Sequence, residues 1–234
     1  MELIVTSPKC TSKSAKLLAE KLGATYINPY KQGIILHGDV VLNYGCSKDV
    51  FGNKVINSPE AVAKAVDKIA TFDLMSQYIR VAPYTQSITV AEQWIKDGNI
   101  VVARELSKAS RSAGVKLVHT IEELYSTPAK FWTGYIHHDI ELRVNVVKGK
   151  IISVLEKQER EDGTFSWKLI RDHSKYAIKS MTKAISDNMG LDFFGADVII
   201  DTKDRPWLLE VNTGPALFGQ TAISFVSAMK GILK

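Results

Sequence analysis

Hydrophobic residues recur along the chain with two different periods, and their alternation predicts a mixed α/β protein. Near the N-terminus, Ser12 or Ser14 can cap a helix that Gly23 stops. This helix and three strand-like runs predict a small α/β unit with parallel strands. Its apolar segments are residues 3–6, 15–22, 25–27 and 40–45.

Beyond residue 57 the pattern changes to helices mixed with antiparallel hairpins. Ser58 and Pro59 are typical of a helix start, and the apolar repeat after them predicts a single helix through Leu74. Thr89 and Glu92 predict a capping box for the next helix. The other predicted elements are strands over residues 100–104 and 115–119, a hairpin over 142–147 and 151–155, a helix from Asp172 or Ser174 to Gly190, and a last helix within 221–233.

Two apolar strands near the C-terminus flank a polar turn and predict an antiparallel hairpin. Asp197 lies in its first strand. Glu210 and Asn212 are two residues apart in the second, so both side chains leave the same face. Three oxygen ligands from neighbouring strands suit Mg²⁺, which lets phosphates complete its coordination shell. Taken singly, each of the three is also explained as a polar residue at a sheet edge.

A second polar cluster lies on the predicted hairpin that begins near residue 141. Strand alternation places Glu141, Arg143 and Asn145 on one face and the intervening apolar side chains in the core. A charged face on a central hairpin needs a partner or a ligand. A structural ion pair between Glu141 and Lys157 is the alternative to a ligand. Two adjacent histidines, at 137 and 138, lack further ligands at zinc spacing and indicate a polar loop.

Composition narrows the class of protein. The 234 residues, 45% apolar and 24% charged, are those of an ordinary globule of one or two domains. No apolar run is long enough for a membrane span, and the first residues do not resemble a signal peptide. Cys10 and Cys46 are expected as reduced core residues, which favours a cytoplasmic location. The net charge of +5 suits anionic ligands such as nucleotides but does not indicate nucleic acid.

The stretch from Asp197 through Glu210 and Asn212 to Pro215 resembles the metal-binding end of the ATP-grasp superfamily. Within that superfamily the chain looks most like the ribosomal-protein-modification type of ligase, which adds glutamate to a protein C-terminus. The resemblance runs from about Asn57 to the end. It implies an ATP-grasp fold of α/β and α+β type, two lobes clasping a nucleotide, over residues 58–234. The smaller lobe would be 58–134, the larger metal-binding lobe 135–234, and residues 1–57 a short α/β domain before them.

The resemblance also implies roles for individual residues. Asp197, Glu210 and Asn212 would hold Mg²⁺, for which Mn²⁺ can substitute. The residues implied to bind ATP are Lys68, Arg104, Ser107, Ser112, Gly114, Tyr135, Ile136 and Glu141, and those implied to act on the transferred phosphate are Arg143, Lys157 and Arg171. Two alternatives stay open: residues 107–114 as a solvated basic loop with one glycine, and Lys68 as a solvated helix-surface lysine.

The implied activity is an ATP- and Mg²⁺-dependent carboxylate–amine ligase. It would form an amide bond through an acyl phosphate and release ADP and phosphate. Its substrates would be a carboxylate and an amine, the latter an amino acid, a peptide or a protein terminus, and a homo-oligomer stays open. A small-molecule kinase and a non-catalytic nucleotide-binding module are the alternatives.

Overall fold

The computed structural model describes residues 2–9, 11–29, 39–47, 50, 52–105 and 115–233, which form three β-sheets with helices packed on them. We call residues 2–57 the N-terminal unit, 58–134 the small lobe and 135–233 the large lobe. The predicted α/β and α+β class is confirmed, because one sheet is parallel and two are antiparallel. Within the described residues, no helix has the length and apolar character needed to cross a membrane.

The N-terminal unit is a parallel sheet with strand order β2-β1-β3-β4. Its elements are β1 (Leu3–Thr6), α1 (Lys13–Leu22), β2 (Thr25–Ile27), β3 (Val40–Asn43) and β4 (Lys54–Ile56). Of the two candidate caps it is Ser12 whose side chain accepts a hydrogen bond from the N–H of Ala15, and Gly23 ends the helix with φ of 66°. Cys46 is buried as expected, whereas Cys10 lies outside the described residues.

The small lobe contains an antiparallel sheet with strand order β5-β8-β6-β7, and the last two of its helices pack on that sheet. Its elements are α2 (Pro59–Val66), α3 (Lys68–Met75), β5 (Tyr84–Thr85), α4 (Ile88–Lys96), β6 (Val101–Arg104), β7 (Val115–Val118), α5 (Ile121–Ser126) and β8 (Phe131–Gly134). It attaches to the large lobe where Val81 forms a parallel bridge with Leu208. The small-lobe sheet therefore begins next to the strand that carries Glu210.

Three predictions about helix boundaries are wrong. The helix predicted from Ser58 through Leu74 is two helices, because Asp67 leaves helical geometry and caps the second one. The predicted capping box at Thr89 fails because α4 begins at Ile88, with Ser87 at the cap position. The helix predicted to start at Asp172 or Ser174 starts several residues later.

That helix, α6, begins at Ile178 instead. Ser174–Tyr176 forms a separate 3₁₀ turn, and Ala177 at φ of 50° breaks the chain between the two. Asp172 still accepts hydrogen bonds from Ser174, but it closes the turn and does not cap the helix. The C-terminal end at Gly190 is as predicted.

The large lobe is a five-stranded antiparallel sheet with order β11-β10-β9-β12-β13. Its elements are β9 (His138–Val147), β10 (Lys150–Glu159), β11 (Phe165–Ile170), α6 (Ile178–Met189), β12 (Phe193–Asp201), β13 (Pro206–Asn212) and α7 (Gly219–Ile232). One face packs on α2, α3 and α6 through buried side chains such as Leu142, Val144 and Val198. The opposite face carries the polar residues, and its end at Val147 and Phe193 is covered by α7 and the N-terminal unit.

Candidate active site

A row of charged residues crosses the open face of the large sheet. Strand pairing sets Arg143 of β9 opposite Asp197 of β12, and Asp197 opposite Glu210 of β13. Asn212 lies two residues beyond Glu210 on the same face, so the predicted hairpin and its face are confirmed. Because β9, β12 and β13 are neighbours, side chains far apart in sequence meet within one band of the sheet.

Arg143 binds Asp197 with two parallel hydrogen bonds. Its Nε lies 2.8 Å from Oδ1 and its Nη2 lies 2.8 Å from Oδ2, the geometry of a guanidinium–carboxylate fork. Burial opposes the charge of Arg143, but the hydrogen bonds and charges of Asp197, Glu210 and Glu141 outweigh it and raise the arginine pKa. The amide of Asn212 donates to Asp197 Oδ2 at 3.3 Å.

Glu210 is approached by cations from the small lobe. Lys68, only 7% exposed at the start of α3, places its Nζ 3.2 Å from Glu210 Oε2, so the solvated-lysine alternative is wrong. Burial lowers the pKa of Arg104 while the charge of Glu210 opposes that shift, and Arg104 Nε donates to Thr133 Oγ1 at 3.3 Å. Cations from both lobes thus converge on the carboxylates of the large sheet.

The carboxyl group of Glu210 is held in an unfavourable setting. Burial raises its pKa and the nearby charge of Asp197 raises it further, while Lys68 and Arg104 act in the opposite sense. Two carboxylates kept close together and partly buried are stabilised by any added positive charge.

Glu141 and Lys157 form the ion pair that the sequence left as an alternative. Lys157 Nζ lies 2.7 Å from Glu141 Oε2, and Lys157 also lies 5.1 Å from the centre of the Phe165 ring. The pairing of Leu155 with Arg143 places Lys157 on the same face as Arg143. These residues border a cleft of about 370 Å³ that His138, Asp139, Glu159 and Gly163 complete.

Sequence reasoning missed Trp167, whose ring lies 4.6 Å from the guanidinium of Arg143. Trp167 belongs to β11, a strand that was not predicted. Phe165, Trp167 and Leu169 alternate with polar residues over five positions, and this alternation is the strand signal that was available.

The remaining predicted residues lie outside the charged row. Tyr135 and Ile136 occupy the crossing between β8 and β9, where Tyr135 N–H donates to the Ile100 carbonyl at 2.9 Å and the Ile136 carbonyl contacts His138 Nδ1 at 2.7 Å. Arg171 follows β11 and lines a second pocket of about 230 Å³ near the start of α7. Ser107, Ser112 and Gly114 lie outside the described residues.

The side chains that are present fit a hard divalent cation. Two directly opposed carboxylates and one amide oxygen lie at the end of a hairpin, a donor set that suits Mg²⁺. Clusters of three or more histidine, cysteine, aspartate or glutamate residues suited to a metal do not occur in the described part of the chain, which includes His137 and His138.

Comparison with known sequences finds similarity in the second half of the chain. The Tubulin-tyrosine ligase family profile matches residues 129–230. The Tubulin glycylase 3D of Tetrahymena thermophila is 43% identical over 51 residues, which cover 21% of this chain and 5% of the glycylase. The matched stretch is thus a small fraction of that relative's length.

Comparison with solved structures identifies the fold over nearly the whole chain. The ATP-grasp ligase PsnB, complexed with a precursor variant, Mg and ADP, superposes with a TM-score of 0.74 at 12% identity, covering 99% of this chain and 98% of PsnB. The macrocyclase MdnC from Microcystis aeruginosa MRC, bound to its precursor peptide, gives 0.69 at 12% identity over 99% of both chains. A RimK domain ATP-grasp protein from Sphaerobacter thermophilus DSM 20745 gives 0.68 at 13% identity, covering 98% of each. The chain has the ATP-grasp fold, as the sequence predicted.

Proposed function

We propose that this protein is an ATP- and Mg²⁺-dependent carboxylate–amine ligase. The observation that carries the proposal is the convergence of Lys68, Arg104 and Arg143, from both lobes, on the opposed carboxylates of Asp197 and Glu210. Such an arrangement can bind a metal–triphosphate complex and neutralise the charge that develops during phosphoryl transfer. Structural similarity to ligases that bind ADP and Mg, or a precursor peptide, supports the same conclusion.

The reaction would proceed in two balanced steps. A carboxylate oxygen of the substrate attacks the γ-phosphorus, the bond to the β-phosphate oxygen breaks, and ADP leaves. The amine nitrogen then attacks the acyl carbon, the carbon–oxygen bond to phosphate breaks, and inorganic phosphate leaves as the amine loses a proton. No side-chain nucleophile is required, and the chain's contribution is alignment and charge neutralisation.

Each part of the charged row has a distinct task in this scheme. Asp197, Glu210 and Asn212 would hold Mg²⁺, which supplies positive charge at the β- and γ-phosphates. Arg143 would exchange one or both of its bonds to Asp197 for a phosphate oxygen, while Trp167 keeps the guanidinium in place. Lys68 and Arg104 would reach the phosphates from the small-lobe side.

The substrate class follows from similarity and stays part of the proposal. The matched relatives include ligases with peptide or protein substrates by name, so we propose that one substrate is a peptide or a protein terminus. Addition of glutamate, as in the ribosomal-protein-modification type, is the specific form suggested by the sequence resemblance. A cytoplasmic location would suit such an ATP-consuming enzyme.

The test combines nucleotide analysis with mass spectrometry. The protein is incubated with ATP, Mg²⁺ and pools of amino acids and peptides, and ADP release and product mass are recorded. We expect ADP formation coupled to a product lighter by one water than the sum of its substrates. A stable phosphorylated product would identify a kinase instead, and absence of ADP release with retained nucleotide binding would identify a binding module.

A matched pair of variants ties the activity to the site. Asp197→Asn removes one carboxylate charge at nearly constant shape and is expected to abolish turnover. Asp187→Asn makes the same change in an exposed Lys183–Asp187 pair on α6 and should leave turnover unaltered. Equal activity in both variants would contradict the assignment of the charged row as the active site.

A further inference from the structure

A buried tyrosine of the N-terminal unit contacts the segment that follows the strand carrying Glu210 and Asn212. Tyr44, 2% exposed, follows β3, and its hydroxyl donates a hydrogen bond to the carbonyl of Pro215. Pro215 lies three residues after Asn212 in the segment 213–218, which connects β13 to α7. We call this segment the ligand-strand connection.

The tyrosine ring also fixes the path of the ligand-strand connection. A Cβ on Gly214 would lie 3.1 and 3.3 Å from two carbons of the Tyr44 ring, so the ring lies directly against the Gly214 backbone. The same ring stacks on Phe193, at 5.7 Å between centroids, and Phe193 begins the strand that carries Asp197. Tyr44 therefore contacts the first strand of the candidate metal hairpin and the connection that follows its second strand.

Pro215 transmits this contact to the metal ligands. A Cβ on Gly195 would lie 3.0 Å from Pro215 Cβ and 3.9 Å from Asn212 Cβ, so Pro215 folds back over β12 beside Asn212. Gly195 is directly paired with Asn212 across the hairpin. A displacement of Pro215 would therefore also displace the side chain of Asn212.

A second hydrogen bond joins the same two parts of the chain. The Leu217 N–H donates to Ser14 Oγ of α1 at 2.9 Å, at the far end of the ligand-strand connection.

Burial strongly raises the pKa of the Tyr44 phenol, and the hydrogen bond with Ser14 acts in the opposite sense. The hydroxyl therefore stays protonated and keeps its ability to donate a hydrogen bond.

We propose that Tyr44 is a positioning residue for the metal site: by holding Pro215 and Gly214 it fixes the orientation of Asn212. The inference rests on the proposed function and extends it, because it makes the N-terminal unit part of the metal-binding apparatus. Groups that orient metal ligands typically change metal affinity about 10–100-fold when removed.

The experiment measures the Mg²⁺ dependence of nucleotide binding in the full chain. ADP binding is titrated at increasing Mg²⁺, and unfolding midpoints are recorded in parallel. In Tyr44→Phe we expect the Mg²⁺ concentration at half-maximal binding to rise about tenfold, with ADP affinity in EDTA unchanged. Amide exchange in the ligand-strand connection should accelerate.

Tyr26→Phe is the matched control, because it removes the hydroxyl of another tyrosine of the same unit, one that donates to the Lys9 carbonyl. An equal Mg²⁺ midpoint in Tyr44→Phe and Tyr26→Phe, with lowered stability only, would show that Tyr44 is merely structural. If Tyr44→Phe does not fold, Ser14→Ala replaces it, and an unshifted Mg²⁺ midpoint there overturns the inference.

Failure of the proposed function and failure of the positioning role give different results. If the wild-type protein shows no Mg²⁺-dependent binding of ADP, the proposed function fails and this inference fails with it. If wild type binds in a Mg²⁺-dependent way and the Tyr44 variant behaves like wild type, only the positioning role is overturned.

Discussion

Glu210, a candidate metal ligand, is a residue whose charge opposes the stability of the fold. Its carboxyl is partly buried beside Asp197, and both factors make its ionised form less favourable in the folded chain than in the unfolded one. Lys68 compensates in part at 3.2 Å. The negative charge of Glu210 is therefore better explained by cation binding than by a contribution to the stability of the fold.

We therefore expect the Glu210→Gln variant to fold but to lose catalytic turnover. A carboxyl whose pKa is raised on folding contributes stability that is complete below its unfolded-state pKa and is lost as pH rises through the folded-state value. The variant does not titrate at this position. As pH rises from about 4 towards neutrality, we expect the unfolding temperature of the variant to increase relative to that of the wild type.

Glu60→Gln provides a control of opposite sign. The hydrogen bond and charge of Lys64 lower the pKa of exposed Glu60. Over the same pH range, the unfolding temperature of the wild type should therefore increase relative to that of this variant. Turnover should be retained. A Glu210 variant that turns over ATP normally, or that loses stability as pH rises, would contradict the assignment.

The residues of the candidate active site could be predicted from the sequence only in part. The spacing of Glu210 and Asn212 is local, and strand periodicity places them on one face without any tertiary information. The fork between Arg143 and Asp197 depends on β9 pairing with β12, a strand 54 residues further on, and no local pattern encodes that register. Lys68 was suggested by resemblance, and its burial against Glu210 required the packing of two lobes.

At the level of elements, the break between α2 and α3 places Lys68 at the start of a helix. Asp67 leaves helical geometry, and its carboxylate accepts hydrogen bonds from the N–H groups of Ile69 at 3.0 Å and Ala70 at 3.3 Å. Lys68 is consequently the first residue of a new helix. A single continuous helix would have placed Lys68 in a helix interior, in a different direction.

Asp67→Ala is therefore expected to affect stability and nucleotide binding together. Loss of the cap should lower the free energy of unfolding by about 1 kcal/mol. The affinity for ADP should fall as well, because Lys68 begins the helix that the cap fixes. Chemical denaturation and an ADP titration measure the two effects.

Asp67→Ser is the matched control, since serine also accepts a hydrogen bond at the cap position. Both stability and ADP affinity should return close to wild type. An alanine variant that is destabilised but binds ADP normally would show that the cap does not position Lys68.

Elements were predicted well where their signals are local and poorly where packing decides. Ser58, Pro59 and Gly190 mark helix ends through their own conformational preferences. The start of α6 instead follows Ala177, whose positive φ is imposed by the surrounding fold and has no sequence signal. β11 was overlooked because half of its side chains are exposed.

For the whole molecule, the important feature is a core that the N-terminal unit shares with the large lobe. Val5, Leu18 and Leu42 pack in one cluster with Phe193 and Phe225. The predicted division between residues 57 and 58 therefore crosses buried contacts. We expect the two parts to unfold together, because neither covers this cluster alone.

Asn57 is the polar counterpart of this shared core. It is fully buried at φ of 62°, and its side-chain amide binds the backbone at the start of β12. Oδ1 accepts from Asp192 N–H at 2.7 Å and Phe193 N–H at 3.1 Å, and Nδ2 donates to the Phe193 carbonyl at 2.7 Å. Its own carbonyl accepts from Asn43 Nδ2 at 2.8 Å. Asn57, directly after β4, thus links β3 through its backbone carbonyl and β12 through its side chain.

Asn57→Ala and Asn57→Gly test whether this junction couples the whole chain. Both variants leave buried backbone groups of β12 without their partners, which should cost at least about 3 kcal/mol. Alanine must also adopt a left-handed conformation that glycine adopts freely, so Asn57→Ala should be the less stable of the two by about 1 kcal/mol.

All four tryptophans lie beyond residue 57, so their fluorescence reports on the lobes alone. We expect the fluorescence and circular dichroism transitions to coincide in wild type and in both variants, and the fluorescence midpoint to fall in each variant. A fluorescence midpoint that stays at the wild-type value while circular dichroism reveals an earlier transition would show that the N-terminal unit unfolds independently of the candidate active site.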